Sequence, residues 1–175
     1  MSASTNASND WDEPSSPEYA ADEIVPGLFQ GGTEDSDVVW VGAPRRSGKG
    51  YPHDLVVTLY ADANPVPWGV HEFRFGFYDS DLSDADAARV VELARLTHRR
   101  WAAGDRVLIR CQAGVNRSGL VTALVLMIAG HGPAEAIALI RARRSSHVLS
   151  NRHFERWLLK RAADQLALSA DSQAA

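Results

Sequence analysis

Residues 111–119 read Cys-Gln-Ala-Gly-Val-Asn-Arg-Ser-Gly and stand between two apolar runs of different kind. Upstream, Val107, Leu108 and Ile109 follow the turn pair Gly104-Asp105 and read as a buried strand. Downstream, residues 120–129 are almost wholly apolar and stop at Gly130, with Gly132-Pro133 beyond, as a core helix stops. A strand that passes through a short glycine-bearing loop into a helix leaves backbone N–H groups unpaired at the helix start, where the positive end of the helix dipole also lies. The product is an anion site.

The side chains in the loop decide what kind of anion site. Unpaired amides and the guanidinium of Arg117 both favour the thiolate form of Cys111, which makes that sulfur a nucleophile. Arg117 can hold two oxygens of a tetrahedral oxyanion through its planar fork. Gly114 permits a positive φ and close backbone approach, and Ser118 can donate a hydrogen bond to the sulfur when it departs from a covalent intermediate. A lone cysteine is most often a small buried hydrophobe. The coincidence of glycine, arginine, serine and the strand-to-helix setting favours chemistry over packing.

A chain of 175 residues suits one domain with one core. Its one cysteine excludes an internal disulfide and a cysteine-rich metal framework, which agrees with a reducing compartment. No basic-then-apolar leader opens the sequence, and the longest apolar run, about residues 119–130, is too short to span a bilayer. The expectation is a cytoplasmic protein with no membrane partner. The net charge of -4 is unevenly spread: residues 1–23 hold six acids and no base, which leaves residues 24–168 with 18 bases against 15 acids. A mildly basic body suits an anionic substrate. The six histidines show no paired metal-ligand spacing, so neither metal nor cofactor is expected.

Taken in order, residues 1–21 are acidic and poor in apolar side chains and read as a disordered tail, as do residues 168–175; residues 22–167 form the domain between them. The first strand is expected over 23–30, interrupted at Pro26-Gly27, and a short second one over 38–41. Residues 42–51 make a basic loop in which Gly48-Lys49 misses the phosphate-loop spacing of nucleotide-binding proteins. Residues 54–60 read as a buried strand and 70–75 as a half-buried one. Residues 83–103 are an amphipathic helix with Ser83 at its N-cap, Asp86 three residues on, and Ala87, Val90, Val91, Ala94 and Trp101 along one face. Pro133 opens a further helix, and Ser150 or Asn151 caps a last one that carries Phe154, Trp157, Leu158 and Leu166 inward. Arg141, Arg143 and Arg144 read as a solvated helix end.

The run Cys-Gln-Ala-Gly-Val-Asn-Arg-Ser-Gly resembles the C-x5-R-[ST] signature of the cysteine-dependent protein tyrosine phosphatases, most closely their dual-specificity branch. Residues 24–32 resemble the strand that opens the dual-specificity domain, residues 55–60 its next buried strand, and residues 141–154 its closing helix pair, so the likeness covers about residues 22–166. It implies an α/β fold with a central, mostly parallel sheet of four to five strands flanked by helices. It also implies a phosphatase that hydrolyses phosphate monoesters in proteins through a phosphocysteine intermediate, with no cofactor and a phosphorylated protein as partner.

On that resemblance Cys111 is the nucleophile, Arg117 and the loop amides of Gln112, Ala113, Gly114, Val115, Asn116 and Arg117 hold the phosphate, and Ser118 assists. The family's general acid lies about thirty residues before the nucleophile. Asp79 precedes Cys111 by 32 positions and Asp81 by 30, so spacing does not separate them. Asp79 is preferred because it follows the strand and because Phe77 and Tyr78 beside it supply apolar cover, with Asp81 read as a cap for the next helix. Where family members usually have histidine before the nucleophile, this chain has Arg110. That cation favours the thiolate if its head reaches the sulfur, and strand alternation offers the other outcome, a head turned elsewhere. Neutral Ala113 and Val115, where phosphoinositide-directed relatives often place lysines, weaken a lipid reading. Two alternatives stand: an RNA 5′-phosphatase, resembled by Asn116-Arg117-Ser118-Gly119 although no separate RNA-binding motif accompanies it, and a catalytically impaired module that binds phosphoresidues. Oligomeric state is not specified by any of these residues.

Overall fold

The computed structural model describes residues 21–33, 53–66 and 68–174. The short strand expected at 38–41, the basic loop at 42–51 and all of the tail expected at 1–21 but its last residue, Ala21, which opens a strand, lie outside those residues. The element order is β1 (Ala21–Val25), β2 (Leu28–Gly32), β3 (Leu55–Thr58), β4 (His71–Arg74), α1 (Asp84–Ala102), β5 (Val107–Cys111), α2 (Arg117–Ile128), α3 (Pro133–Arg143), α4 (Arg152–Lys160) and α5 (Ala162–Ala174).

The strands form one five-stranded sheet in the order β1-β2-β5-β3-β4. β5 runs parallel to β2 on one side and to β3 on the other, β4 continues parallel beyond β3, and β1 is the antiparallel edge. A strand flanked on both edges and covered on both faces must be apolar without alternation. That is why Val107-Leu108-Ile109 and Leu55-Val56-Val57 are continuous runs, and every residue of β3 and β5 is buried. β1 and β2 were expected as one interrupted strand. Pro26 and Gly27 instead close a two-residue hairpin in which Val25 pairs with Leu28. Gly27 takes φ +81°, as the third position of a turn of this kind requires, and its amide donates to the Glu23 carboxylate at 2.8 Å.

The helices place their apolar faces on the sheet and on each other. Ser83 caps α1, its hydroxyl accepting from the Asp86 amide at 3.1 Å, and Ala87, Val90, Val91 and Ala94 are buried as expected. Trp101, expected on that face, is half-buried and donates to the Pro26 carbonyl at 3.0 Å, tying the helix end to the hairpin. α2 is buried all round, from Ser118 through Leu126, which only a helix running through the core can be. The closing helix is split at Arg161 into α4 and α5. α5 runs past residue 167, where the domain was expected to end, to Ala174, and is anchored by buried Ala162 and by Arg95, which donates to the Leu166 carbonyl.

His53 lies just before β3 with 5% of its surface exposed and its ring edge-on to Phe29 at 4.8 Å. Burial and the nearby Arg106 charge lower its pKa from 6.5 to about 4, against a smaller opposing pull from Asp54. The fold therefore holds His53 neutral while the unfolded chain protonates it, so stability present above pH 6.5 is lost as pH falls toward 4. Between those values the folding constant falls by up to about tenfold per pH unit from this group alone. In urea unfolding at pH 7 and at pH 4.5, His53→Gln is expected to lose less stability on acidification than the wild type; equal losses in both proteins rule His53 out as a source.

Candidate active site

Cys111 is the last residue of β5 and Arg117 the first of α2, so five residues turn the chain between them. Gly114 turns it, with φ +68°. A Cβ there would collide with the Gly31 carbonyl and the Arg144 guanidinium, so the position needs glycine for space as well as for conformation.

Every carbonyl of the turn is bound from outside. Gln112 O accepts from the Thr33 amide at 2.7 Å, Val115 O from the Leu149 amide at 3.3 Å and Asn116 O from the Leu120 amide at 2.9 Å. Gly114 O accepts from Gln30 Nε2 at 3.1 Å and Arg144 Nε at 2.6 Å, and Ala113 O from Arg144 Nη2 at 3.5 Å. In a planar trans peptide the carbonyl and the following N–H point opposite ways. With carbonyls 112–116 turned outward, the amides of residues 113–117 turn inward. Among the described residues none of the amides of 112–116 donates to another backbone carbonyl. Leu149 supports this arrangement at a cost, being fully buried with φ +60°, a conformation unfavourable by about 1 kcal/mol for a side chain of its kind.

At the base of the ring Cys111 is 2% exposed, and its Sγ lies 3.3 Å from the buried Ser118 Oγ. Arg117 is fixed from one side only. Its Nη1 donates to Leu59 O and Phe77 O, both at 3.2 Å, and its guanidinium lies 5.4 Å from the Tyr60 ring centre. Its Nε is buried and has no partner among the described residues. An unsatisfied buried donor on a cation is costly.

Asp79 is exposed, and both its oxygens are held: Oδ2 accepts from Asn116 Nδ2 at 3.0 Å and Oδ1 from Asn151 Nδ2 at 2.8 Å. The apolar cover expected for it is absent, because Phe77 turns inward while Tyr78 is 87% exposed. Asp81 does not cap α1; Ser83 does, and Asp81 pairs with His153 on the surface. The structure thus separates two aspartates that spacing did not, since only Asp79 is bonded to the turn that carries the nucleophile.

The structure decides the direction of one arginine and overturns the expectation for two others. Arg110 points away from the sulfur: Val107, Ile109 and Cys111 share the core face of β5, and Arg110 occupies the other, bonded to Thr58, Glu72 and the Asn64 carbonyl. Arg141 and Arg144, expected as a solvated helix end, turn back into the fold. Arg141 donates to the Val148 and Leu149 carbonyls and pairs with Glu155, while Arg144 grips the underside of the turn and pairs with Asp22 at 2.8 Å. Asn116, Asn151 and Gln30 were likewise not recognised as holding the site together, and no local pattern marks them, since their partners lie 30 or more residues away. Among the described residues no three His, Cys, Asp or Glu side chains gather as a metal cluster, and no helix is long and apolar enough to cross a membrane.

Residues 88–163 match the family model of the dual specificity phosphatase catalytic domain. No curated protein matches the chain in sequence. Among solved structures, a mouse dual specificity phosphatase complexed with zinc tungstate superposes with a TM-score of 0.66 at 21% identity, over 97% of this chain and 96% of that one. OH1 from the Orf virus, a tyrosine phosphatase with triple substrate specificity, gives 0.61 at 22% identity over 80% and 84%. The human tyrosine phosphatase-like serine/threonine/tyrosine-interacting protein gives 0.62 at 19% over 83% and 97%. These likenesses establish the fold.

The grip of Arg144 on the turn is measurable against its neighbour. Arg144→Ala, which removes the Gly114 and Ala113 contacts, is expected to cost roughly 1–3 kcal/mol in denaturant unfolding. Arg143→Ala, at an exposed position one residue earlier, should fall within about 0.5 kcal/mol of wild type. Equal effects of the two substitutions would show that the turn does not depend on Arg144.

Proposed function

We propose that this chain is a dual-specificity-phosphatase-like member of the cysteine-dependent protein tyrosine phosphatases, a reading supported by the catalytic-domain match over residues 88–163 and by the shared fold, and that Cys111, Arg117, Ser118 and Asp79 carry its reaction on phosphotyrosine, phosphoserine and phosphothreonine. The observation that carries this assignment is the meeting of three features in one strand-turn-helix unit: a sulfur 3.3 Å from a serine hydroxyl, turn amides that donate to no backbone carbonyl among the described residues, and a buried arginine Nε that lacks a partner there.

In the first step Cys111 Sγ attacks phosphorus in line with the leaving oxygen, forming the S–P bond as the P–O ester bond breaks. The three equatorial oxygens rest on the amides of 112–117 and on Arg117, donors already aimed before charge develops. Asp79 gives its proton to the departing oxygen. In the second step the Asp79 carboxylate takes a proton from water as that water attacks phosphorus, and the S–P bond breaks. Ser118 Oγ donates to the sulfur as it regains its charge.

Asp79 suits both steps because Asn116, in the turn, and Asn151, at the cap of α4, hold its carboxylate beside the phosphate cradle. Two alternatives, an RNA 5′-phosphatase and a module that only binds phosphoresidues, are not favoured by the catalytic-domain match. A complete set of nucleophile, hydroxyl, arginine and tethered acid also supports turnover over binding alone. The triple specificity named for the Orf virus enzyme makes a panel of phosphorylated residues the fitting assay. We place the protein in a reducing compartment such as the cytoplasm, since the one cysteine of this sequence must stay a thiol to act.

Wild-type protein is expected to hydrolyse an aryl phosphate, to be inhibited by vanadate, and to lose all turnover in Cys111→Ser. Asp79→Ala should lower kcat by about 10²- to 10⁴-fold, the usual contribution of a general acid. Asp81→Ala should stay within about fivefold of wild type, the most that an exposed ion pair contributes. Full activity in Asp79→Ala, or residual turnover in Cys111→Ser, overturns the assignment.

A further inference from the structure

Arg110 occupies the position directly before the nucleophile, yet its side chain lies on the opposite face of β5 and is almost fully buried. Its Nε donates to Thr58 Oγ1 at 3.0 Å and its Nη2 to the Asn64 carbonyl at 2.6 Å, with Glu72 Oε1 3.5 Å from Nη2. The Thr58 hydroxyl in turn donates a hydrogen bond to that same Glu72 oxygen at 2.6 Å. Arg74 completes the cluster from the β4 side. It donates to Glu72 at 2.9 Å, to Ala63 O at 2.8 Å, to Asn64 O at 3.2 Å and to Ala61 O at 3.3 Å. Two guanidinium groups, oriented by the Glu72 carboxylate between them, thus hold the carbonyls of residues 61, 63 and 64 against the edge of the sheet.

The stretch so held begins at the residues that receive Arg117. Leu59 O accepts from Arg117 Nη1, and the Tyr60 ring lies beside its guanidinium. The start of the stretch is fixed by β5 as well, since the Leu59 amide donates to Arg110 O at 2.8 Å. Arg110 therefore grips residues 59–64 at both ends, by its backbone at Leu59 and by its side chain at Asn64. A carbonyl acceptor at the end of a strand, followed by a turn, has no rigidity of its own. Here the buried cluster supplies it, and a buried charge pair with satisfied partners is a stiff, geometrically specific anchor.

We propose that Arg110 is a positioning residue for Arg117: through Asn64, Thr58 and Glu72 it fixes the Leu59 carbonyl and the Tyr60 ring, and these hold the Arg117 guanidinium with its Nε turned toward the phosphate. The cation before the nucleophile acts on the phosphate-binding arginine, from the far side of the sheet, and not on the sulfur. This assignment rests on the role given to Arg117 above, and one of its readouts is independent of that role.

The test uses the full chain with Arg110→Ala and, as a milder lesion at an exposed position, Arg74→Ala. Vanadate inhibition of aryl phosphate hydrolysis should weaken about 10- to 100-fold in Arg110→Ala, the scale of one misplaced charge-assisted hydrogen bond, and less in Arg74→Ala. In an Arg117→Ala background, Arg110→Ala should add no further loss, since the two act as one unit. Independent losses that multiply would overturn the proposal. The second readout is the Nε–H resonance of Arg117, expected to exchange slowly with solvent in wild type and faster in either variant. If both variants keep that proton protected and vanadate affinity unchanged, Arg110 does not position Arg117. If wild type neither binds vanadate nor turns over, the catalytic assignment fails, and the Nε–H exchange still decides the positioning claim. Should Arg110→Ala not fold, Arg74→Ala carries both measurements.

Discussion

The structure depends on the outward pairing of five peptide carbonyls, those of residues 112–116. Inward amides do not hold themselves in place: aligned N–H dipoles repel one another, and with no anion present nothing inside the ring opposes that repulsion. The opposing force comes from outside. Each carbonyl has its own donor, and each donor belongs to a different part of the fold: the residue after β2, a buried glutamine within β2, an arginine ending α3, the segment before α4 and the first turn of α2. A ring prepared in this way does not have to reorganise when charge arrives, and that absence of reorganisation is the larger part of what a preformed oxyanion site contributes.

That dependence accounts for features that look unfavourable alone. Leu149 adopts a left-handed backbone that a glycine would take without strain, yet its side chain fills the core against Gly119, where a Cβ would lie 2.8 Å from Val148 Cγ1. Glycine at 149 would leave a void beneath α2, so the strain is offset by packing and the leucine amide still reaches Val115 O. Arg144 commits a half-buried cation to the carbonyls of Gly114, Ala113 and Gln30 and to Asp22, and Arg110 commits a buried one to the loop at Asn64. The molecule thus places two guanidinium groups around the phosphate cradle that face away from its opening. Their contribution there is geometric, whereas that of Arg117 is electrostatic.

What was legible in the sequence follows from the range of the interactions. Strand β5, the turn and helix α2 are contiguous, so Cys111, Gly114, Arg117 and Ser118 were identified from hydrophobic pattern and residue type alone, and their neighbours in sequence are their neighbours in space. The parallel sheet was legible for a similar reason, because strands buried on both faces must be continuously apolar. The hairpin at Pro26-Gly27 was misread as one broken strand, since the apolar content of residues 23–30 does not say whether the chain bends or reverses; the positive φ at Gly27 decides it. The carbonyl contacts of Arg110 and Arg144 and the bonds from Asn116 and Asn151 to Asp79 were not legible, although the cap at Asn151 was. A surface-type residue gives no sign in its own segment that it will be drawn inward by a carbonyl 30 or 46 residues away. Asp79 falls between these cases: its type and spacing were readable, and its distinction from Asp81 required the two asparagines that hold it.

Those asparagines explain how an exposed acid keeps a fixed relation to a buried nucleophile. The Asn116 side chain donates to Asp79 and accepts both from the Asn151 amide at 2.9 Å and from Ser150 Oγ at 3.2 Å, while Asn151 donates to the other Asp79 oxygen and to the carbonyl of Ser80. Asn151 also caps α4 by accepting from the His153 amide at 3.0 Å. Acid, turn and helix start are therefore joined in one polar lattice. A single hydrogen bond to a loop aspartate leaves it free to swing about that bond, and two bonds from two separately anchored side chains remove the swing. The anchors differ in kind, one lying in the ring that holds the phosphate and the other at the end of a helix packed on the core. A displacement of the turn at 112–116 relative to α4 would therefore strain Asp79 as well, so correct assembly of the turn and placement of that carboxylate are one structural event.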